Sequence, residues 1–242
     1  MFYSISTEEV TATLCAVEVL AEIPWAEPLL RHTAESIENL RLRLSDRAHG
    51  RPVRDDERGL FFELRYAEAL HLAAIQAQYE VNCGVGDTTV DFRVFSEPNW
   101  LIELVSLRAS AAVQSATNDN GVFTSLSLSS PHPSAAISEQ NQSEEAEIIK
   151  AQQRIGEKAF RETAPVKFPP PADEIHMIMV DARGFIGIGG DPMDWRHITI
   201  GPDGLPDHAI RFWHNSTTRM NEPIAGLFEE RCPARAAPTI RE

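Results

Sequence analysis

Apolar and polar positions change their period along this chain, and the change divides it into helical and extended stretches. Over the first 48 residues apolar side chains recur at steps of three and four. Val10, Leu14, Val17 and Leu20 share one face, and Leu30, Thr33, Ile37, Leu40 and Leu44 share another. The spacing predicts two helices, the first opened by Ser6 and Glu9 at capping-box distance, the second by Pro28 in its first turn. "AHGRPVRDD" breaks the pattern, and a third, more apolar helix is expected over about 55 to 78, "DERGLFFELRYAEALHLAAIQAQ". The period then shortens: "YEVNCGV", "TTVDFRVF" and "WLIELVSL" read as strands, separated by Gly86-Asp87 and Pro98-Asn99. The stretch 109–142 is dominated by Ser, Ala, Asn and Thr and reads as a flexible insertion. Helical spacing returns in "SEEAEIIKAQQRIGEKAFRET", where Ile148, Gln152, Ile155 and Ala159 share a face, and "HMIMVDA" reads as a buried strand. The remainder of the chain is rich in Gly and Pro and reads as irregular. Helix, three strands, helix, strand argues for an α/β or α+β sandwich with a mixed sheet between helices. The expected organisation is a helical extension over 1–48, a core over 49–200 and an irregular segment over 201–242.

Composition narrows the function classes. The 242 residues are 43% hydrophobic, enough to bury a substantial core. Twenty-two basic against 36 acidic residues leave a net charge of −14, so contact with phosphates requires a local basic patch. Three cysteines without CxxC spacing suit a reducing compartment rather than a disulfide scaffold. The opening residues lack a basic n-region, and no apolar run approaches the eighteen or so residues of a membrane span. The expectation is a cytoplasmic protein without a membrane segment.

Two of the strands each carry a carboxylate in mid-run, Asp91 in "TTVDFRVF" and Glu103 in "WLIELVSL". An unpaired buried carboxylate costs several kcal/mol, so such a group needs a partner, a proton or a metal. A hairpin around "SEPN" brings Asp91 and Glu103 within reach of one divalent ion. Mg²⁺ favours a few carboxylates completed by water. The structural alternatives are a solvent-facing Asp91 on a one-sided sheet and an inward Arg93 pairing with Glu103. A third acid can come from the preceding helix, where Glu63 and Glu68 both face the apolar side about 140° apart.

Together, "FELRYAEAL", "TTVDFRVF" and "WLIELVSLR" resemble the core of the PD-(D/E)XK nuclease superfamily. That family has a helix carrying Glu, a strand with Asp, a strand with Glu-x-Lys, then a helix and a further strand. The resemblance covers roughly 55–108 and more loosely 143–182. It implies a restriction-endonuclease-like mixed sheet flanked by helices and Mg²⁺- or Mn²⁺-dependent hydrolysis of phosphodiesters in nucleic acid. Asp91, Glu103 and the main-chain carbonyl of Leu104 are the implied metal ligands, and Glu63, with Glu68 as substitute, is the implied helical acid. Two positions depart from the pattern. Val90 stands at the proline position, and Val105 at the lysine position, where the family's lysine orients the attacking water and offsets transition-state charge. Arg108, five residues from Glu103, faces the other way without a bulge. Lys150, and beside it Lys158, are the candidates for a relocated lysine, against the alternative of solvated helix charges. A catalytically inactive relative, serving as a binding or assembly module, is the second reading.

Other signals carry less. "GFIGIGGD" lacks the Gly-Lys-Ser/Thr ending of a phosphate loop, and His197, His208 and His214 show no zinc-ligand spacing. Trp195 in "DPMDWRHITI" reads as a core anchor.

Overall fold

The structure is a computed structural model. It describes residues 7–45, 55–83, 86–108, 144–161, 164–165, 167–169, 172–184, 192–201, 225–229 and 232. The insertion expected at 109–142, the cap at Ser6, "GFIGIGGD" beyond Gly184, and His208 and His214 lie outside these residues. The chain divides into two compact units, one formed by 2–106 and 165–181, the other by 107–164 and 182–242 with Met1.

In the first unit, α1 (Thr7–Leu20) buries Val10, Thr13, Ala16, Val17 and Leu20, the face its apolar period marks out. The second expected helix is broken. After a short 3-10 turn (Pro24–Ala26) come α2 (Glu27–His32) and α3 (Ala34–Ser45), separated at Thr33. The Thr33 hydroxyl donates to the Leu29 carbonyl at 2.9 Å, the local competition by which threonine bends helices. Helix α4 (Asp55–Leu72) buries Phe61, Leu64, Ala67 and Leu70. It stops short of the expected 78 because Ala74 is left-handed (φ 56°). The Ala74 N–H then bonds to the His71 carbonyl (2.8 Å) and the Ile75 N–H to the Leu70 carbonyl (2.9 Å), a Schellman cap built without glycine.

Three antiparallel strands follow: β1 (Ala77–Asn82), β2 (Thr89–Val94) and β3 (Trp100–Arg108). The β2–β3 turn is tied by Ser96, whose hydroxyl donates to the Pro98 carbonyl at 2.6 Å. Strand β6 (Ile175–Gly184) lies beside β3, giving a sheet of order β1-β2-β3-β6. The Ile175 N–H bonds to the Asn99 carbonyl, joining the starts of both strands, so β6 runs parallel to β3 and the sheet is mixed. Ala77, Tyr79, Phe92, Val94, Ile102 and Leu104 form one core with α1 to α4. Val81, Val90, Leu101 and Phe168 form a second. The expected α+β class holds, with helices and a four-stranded mixed sheet. The first helices, expected as an extension, share the core of the sheet.

The second unit contains α5 (Glu144–Ala159), in which Ile148, Gln152 and Ile155 are buried as their spacing requires. Two short strands follow, β4 (Phe160–Arg161) and β5 (Ala164–Pro165). Residues Pro192–Ile200, at the end of the expected core in the Gly- and Pro-rich stretch read as irregular, form helix α6. Pro192 at its first position was the available signal. Buried Gln152 donates to the carbonyls of Ile198 (3.0 Å) and Ala225 (2.9 Å). Gly201 (φ 75°) and Gly226 approach so closely that a Cβ on either would collide with the other's backbone.

Candidate active site

The candidate site lies in the first unit, where β2 and β3 separate. Their paired residues are Val94↔Trp100, Arg93↔Leu101 and Phe92↔Ile102. One step further, Asp91 falls opposite Glu103, but the ladder is interrupted. Asp91 Oδ2 accepts the Leu104 N–H at 2.7 Å, so a side chain replaces a main-chain acceptor. On the other side of Asp91, Glu80 of β1 has a left-handed backbone (φ 49°) and is missing from the β1–β2 register. Tyr79 and Phe92 belong to the helical core, whereas Val81 and Val90 belong to the opposite one. The strand faces therefore exchange at this point, and Asp91 sits at the changeover.

Glu103 is fully buried. Its neighbours Ile102 and Leu104 face the helices, so alternation turns Glu103 to the opposite side. There the Lys167 ammonium lies 3.2 Å from Glu103 Oε1 and donates to the Thr89 carbonyl at 2.9 Å. The Cys83 thiol donates to Lys167's own carbonyl, which fixes the lysine's main chain as well. Phe168, the next residue, enters the second core and stacks on His176 with centroids 4.9 Å apart.

Glu63 projects from α4 to the helical side of the sheet, where it accepts the Tyr79 hydroxyl at 2.7 Å. Burial, then the charge of Glu63, pushes the Tyr79 phenol far above its ordinary pKa, so it remains a neutral donor. Glu80 and Asp91 add to that negative potential. The three expected acids thus have three partners: Glu63 meets Tyr79, Asp91 meets the Leu104 N–H, and Glu103 meets Lys167. Among the described residues no group of three or more His, Cys, Asp or Glu side chains is placed to hold a metal ion. Glu68 is half-buried on α4.

Several expectations shift. Arg93, the proposed inward partner of Glu103, instead meets Glu174, with Nε 3.1 Å from Oε1. Val105 is buried and carries no charge to the site. Lys150 and Lys158 belong to α5 of the second unit, and the side chain of Arg108 is not among those described. A cation does stand against Glu103, Lys167, which sequence reasoning passed over. It sits in "VKFPP", a proline-rich connection with no periodicity to attract notice, though a lysine flanked by Val166 and Phe168 was a faint sign of burial. A second buried acid was also missed. Glu57, in the first turn of α4, is fully enclosed and accepts the Ser36 hydroxyl at 3.2 Å.

Oxygen donors only, two of them carboxylates, suit a hard divalent ion. In an extended residue the N–H and C=O point to the same edge, so the Leu104 carbonyl faces β2 as its N–H does. Asp91, Glu103 and that carbonyl are thus a chemically suitable set for Mg²⁺ or Mn²⁺. Compared with family models, with curated proteins and with solved structures, the chain matches none.

Proposed function

We propose that this chain hydrolyses phosphodiester bonds in nucleic acid with Mg²⁺ or Mn²⁺, through a restriction-endonuclease-like core in which Lys167 takes the part that Val105 leaves vacant. The observation that carries the reading is Glu103, a fully buried carboxylate opposite Asp91, with an ammonium 3.2 Å away supplied from a separate segment. The order α4, β1 to β3, α5, β6 agrees with the family's helix, strands, helix and strand.

Asp91 and Glu103, with the Leu104 carbonyl, would hold the metal. When bound, the ion supplies Lewis acidity at the scissile phosphate and lowers the pKa of a coordinated water. The Leu104 N–H fixes the orientation of Asp91. Lys167, held by the Thr89 carbonyl, orients the attacking water and offsets the charge that grows on the phosphoryl oxygens. Water oxygen bonds to phosphorus and sheds its proton to solvent; the bond to the leaving oxygen breaks, and that oxygen takes up a proton. Glu63 accepts the Tyr79 hydroxyl on the helical side, and both Glu63 and Asp91 add negative potential at Tyr79.

The test is cleavage of DNA and RNA with Mg²⁺ or Mn²⁺. Wild-type protein is expected to cut at least one of them, and Asp91→Ala and Lys167→Met to reduce the rate by about 10² or more. Wild-type protein that cuts neither refutes the proposal. A second reading, an inactive binding or assembly module, is favoured by the same Lys167–Glu103 contact, because an ammonium compensates a buried carboxylate without any metal. Mn²⁺ binding without cleavage, or no binding at all, distinguishes that module from the enzyme.

A further inference from the structure

Arg93 stands on β2 opposite Leu101, two residues along β3 from Glu103 and on the same face. Two residues of strand put it roughly 7 Å from the centre of the site. Its side chain is partly exposed, at 28%. Among the described residues it meets one carboxylate, Glu174, whose Oε1 is 3.1 Å from Nε. That oxygen lies off the line of the N–H, since Nε forms no hydrogen bond and is shielded from solvent. The Nη groups bond to none of the described residues. A guanidinium satisfied by charge alone keeps its planar fork, which matches two oxygens of a phosphate. The chain's net charge of −14 makes such a local cation necessary for any hold on a polyanion. Lys167, held by Glu103 and Thr89, serves the scissile phosphate in this reading.

We propose that Arg93 is the substrate-phosphate residue of this site, taking the phosphate next to the scissile one on a nucleic-acid strand laid along β2. The proposal rests on the hydrolytic reading of the site. Glu174 then acts as a placeholder that keeps the guanidinium in position and competes with the phosphate for it.

The test is fluorescence anisotropy of labelled single-stranded and duplex oligonucleotides with Ca²⁺, over a salt series, beside the cleavage assay. Arg93→Ala is expected to weaken binding roughly ten- to a hundredfold and to reduce the slope of log affinity against log salt by roughly 0.7 to 0.9. Arg93→Lys keeps the slope and falls between in affinity. Glu174→Gln, which removes the competitor, tightens binding. A purely structural ion pair predicts the opposite for Glu174→Gln, no tightening, and that result overturns the proposal. It is also overturned if wild-type protein binds and cuts while Arg93→Ala and Arg93→Lys do so equally well; the hydrolytic reading then stands. Wild-type protein that neither binds nor cuts overturns both.

Discussion

Replacing Lys167 by methionine removes a charge set directly against Glu103 while preserving much of the side chain's bulk. Glu103 is fully enclosed, and the ammonium lies 3.2 Å from its Oε1. At that separation, with an effective dielectric constant of about 20, the attraction is about 5 kcal/mol. That figure is a ceiling, because both groups gave up hydration to meet. The lysine side chain is 23% exposed, so solvent screens the pair further. Removing one member of a buried pair costs about 3–5 kcal/mol, because it strands the other charge. The exposure of Lys167 places Lys167→Met at the low end, about 3 kcal/mol, including the lost bond to the Thr89 carbonyl. Urea denaturation at neutral pH, followed by tryptophan fluorescence, measures it; Trp25 and Trp100 report from the same unit. The decisive arm is the double variant Lys167→Met with Glu103→Leu, which removes both charges and is expected to recover most of the loss. A single variant within about 1 kcal/mol of wild type, or a double variant whose losses simply add, refutes the argument that this lysine is what allows Glu103 to be buried.

Other expectations concern the remaining networks. Arg65 bridges Glu9 (2.8 Å) and Asp181 (3.2 Å). Burial nevertheless raises the pKa of Asp181, outweighing the guanidinium that lowers it. A raised carboxylate lends its stability below the unfolded pKa and loses it as pH climbs through the folded one, so at neutral pH its charge is a cost. Asp181→Asn should therefore leave the urea midpoint unchanged or raise it by the equivalent of up to about 1 kcal/mol, whereas Arg65→Met, which takes a guanidinium from both acids, should cost about 3 kcal/mol; a clear loss in Asp181→Asn at pH 7 contradicts this balance. Burial pushes Tyr66 up to about 12, and Tyr79 is pushed up further. The unfolded chain thus loses its phenol protons first, and stability should hold to about pH 10 and fall steadily beyond it; a midpoint that stays level through about pH 11 contradicts the assignment. In the second unit, Gln152→Leu deprives two carbonyls of their donor and is expected to cost about 2–3 kcal/mol by thermal or urea unfolding.

The candidate site is partly legible in the sequence. Asp91 and Glu103 were recognisable because each interrupts an apolar run, and their opposition follows from a short turn and a two-residue period, both local properties. Glu63 was recognisable as an inward acid from the helical period, but its partner was not. Tyr79 is sixteen residues away across a helix end that carries no glycine. The cap at Ala74 illustrates the limit: alanine rarely takes a left-handed conformation, so nothing in the residue type announced the stop.

By itself the sequence determined α1, α4 and α5 and the strands β1, β2, β3 and β6 to within a few residues, the buried face of the helices, and the presence of two carboxylates within apolar strands. Those follow from periodicity and from the cost of enclosing charge, which act within a few residues. Only the tertiary structure decided which cation answers Glu103, that Arg93 goes to Glu174, and that Asp91 turns sideways to the Leu104 N–H. These are contacts between segments remote in the chain, such as Lys167 with β3. Which remote groups meet is settled by how whole elements pack, and no local pattern encodes it.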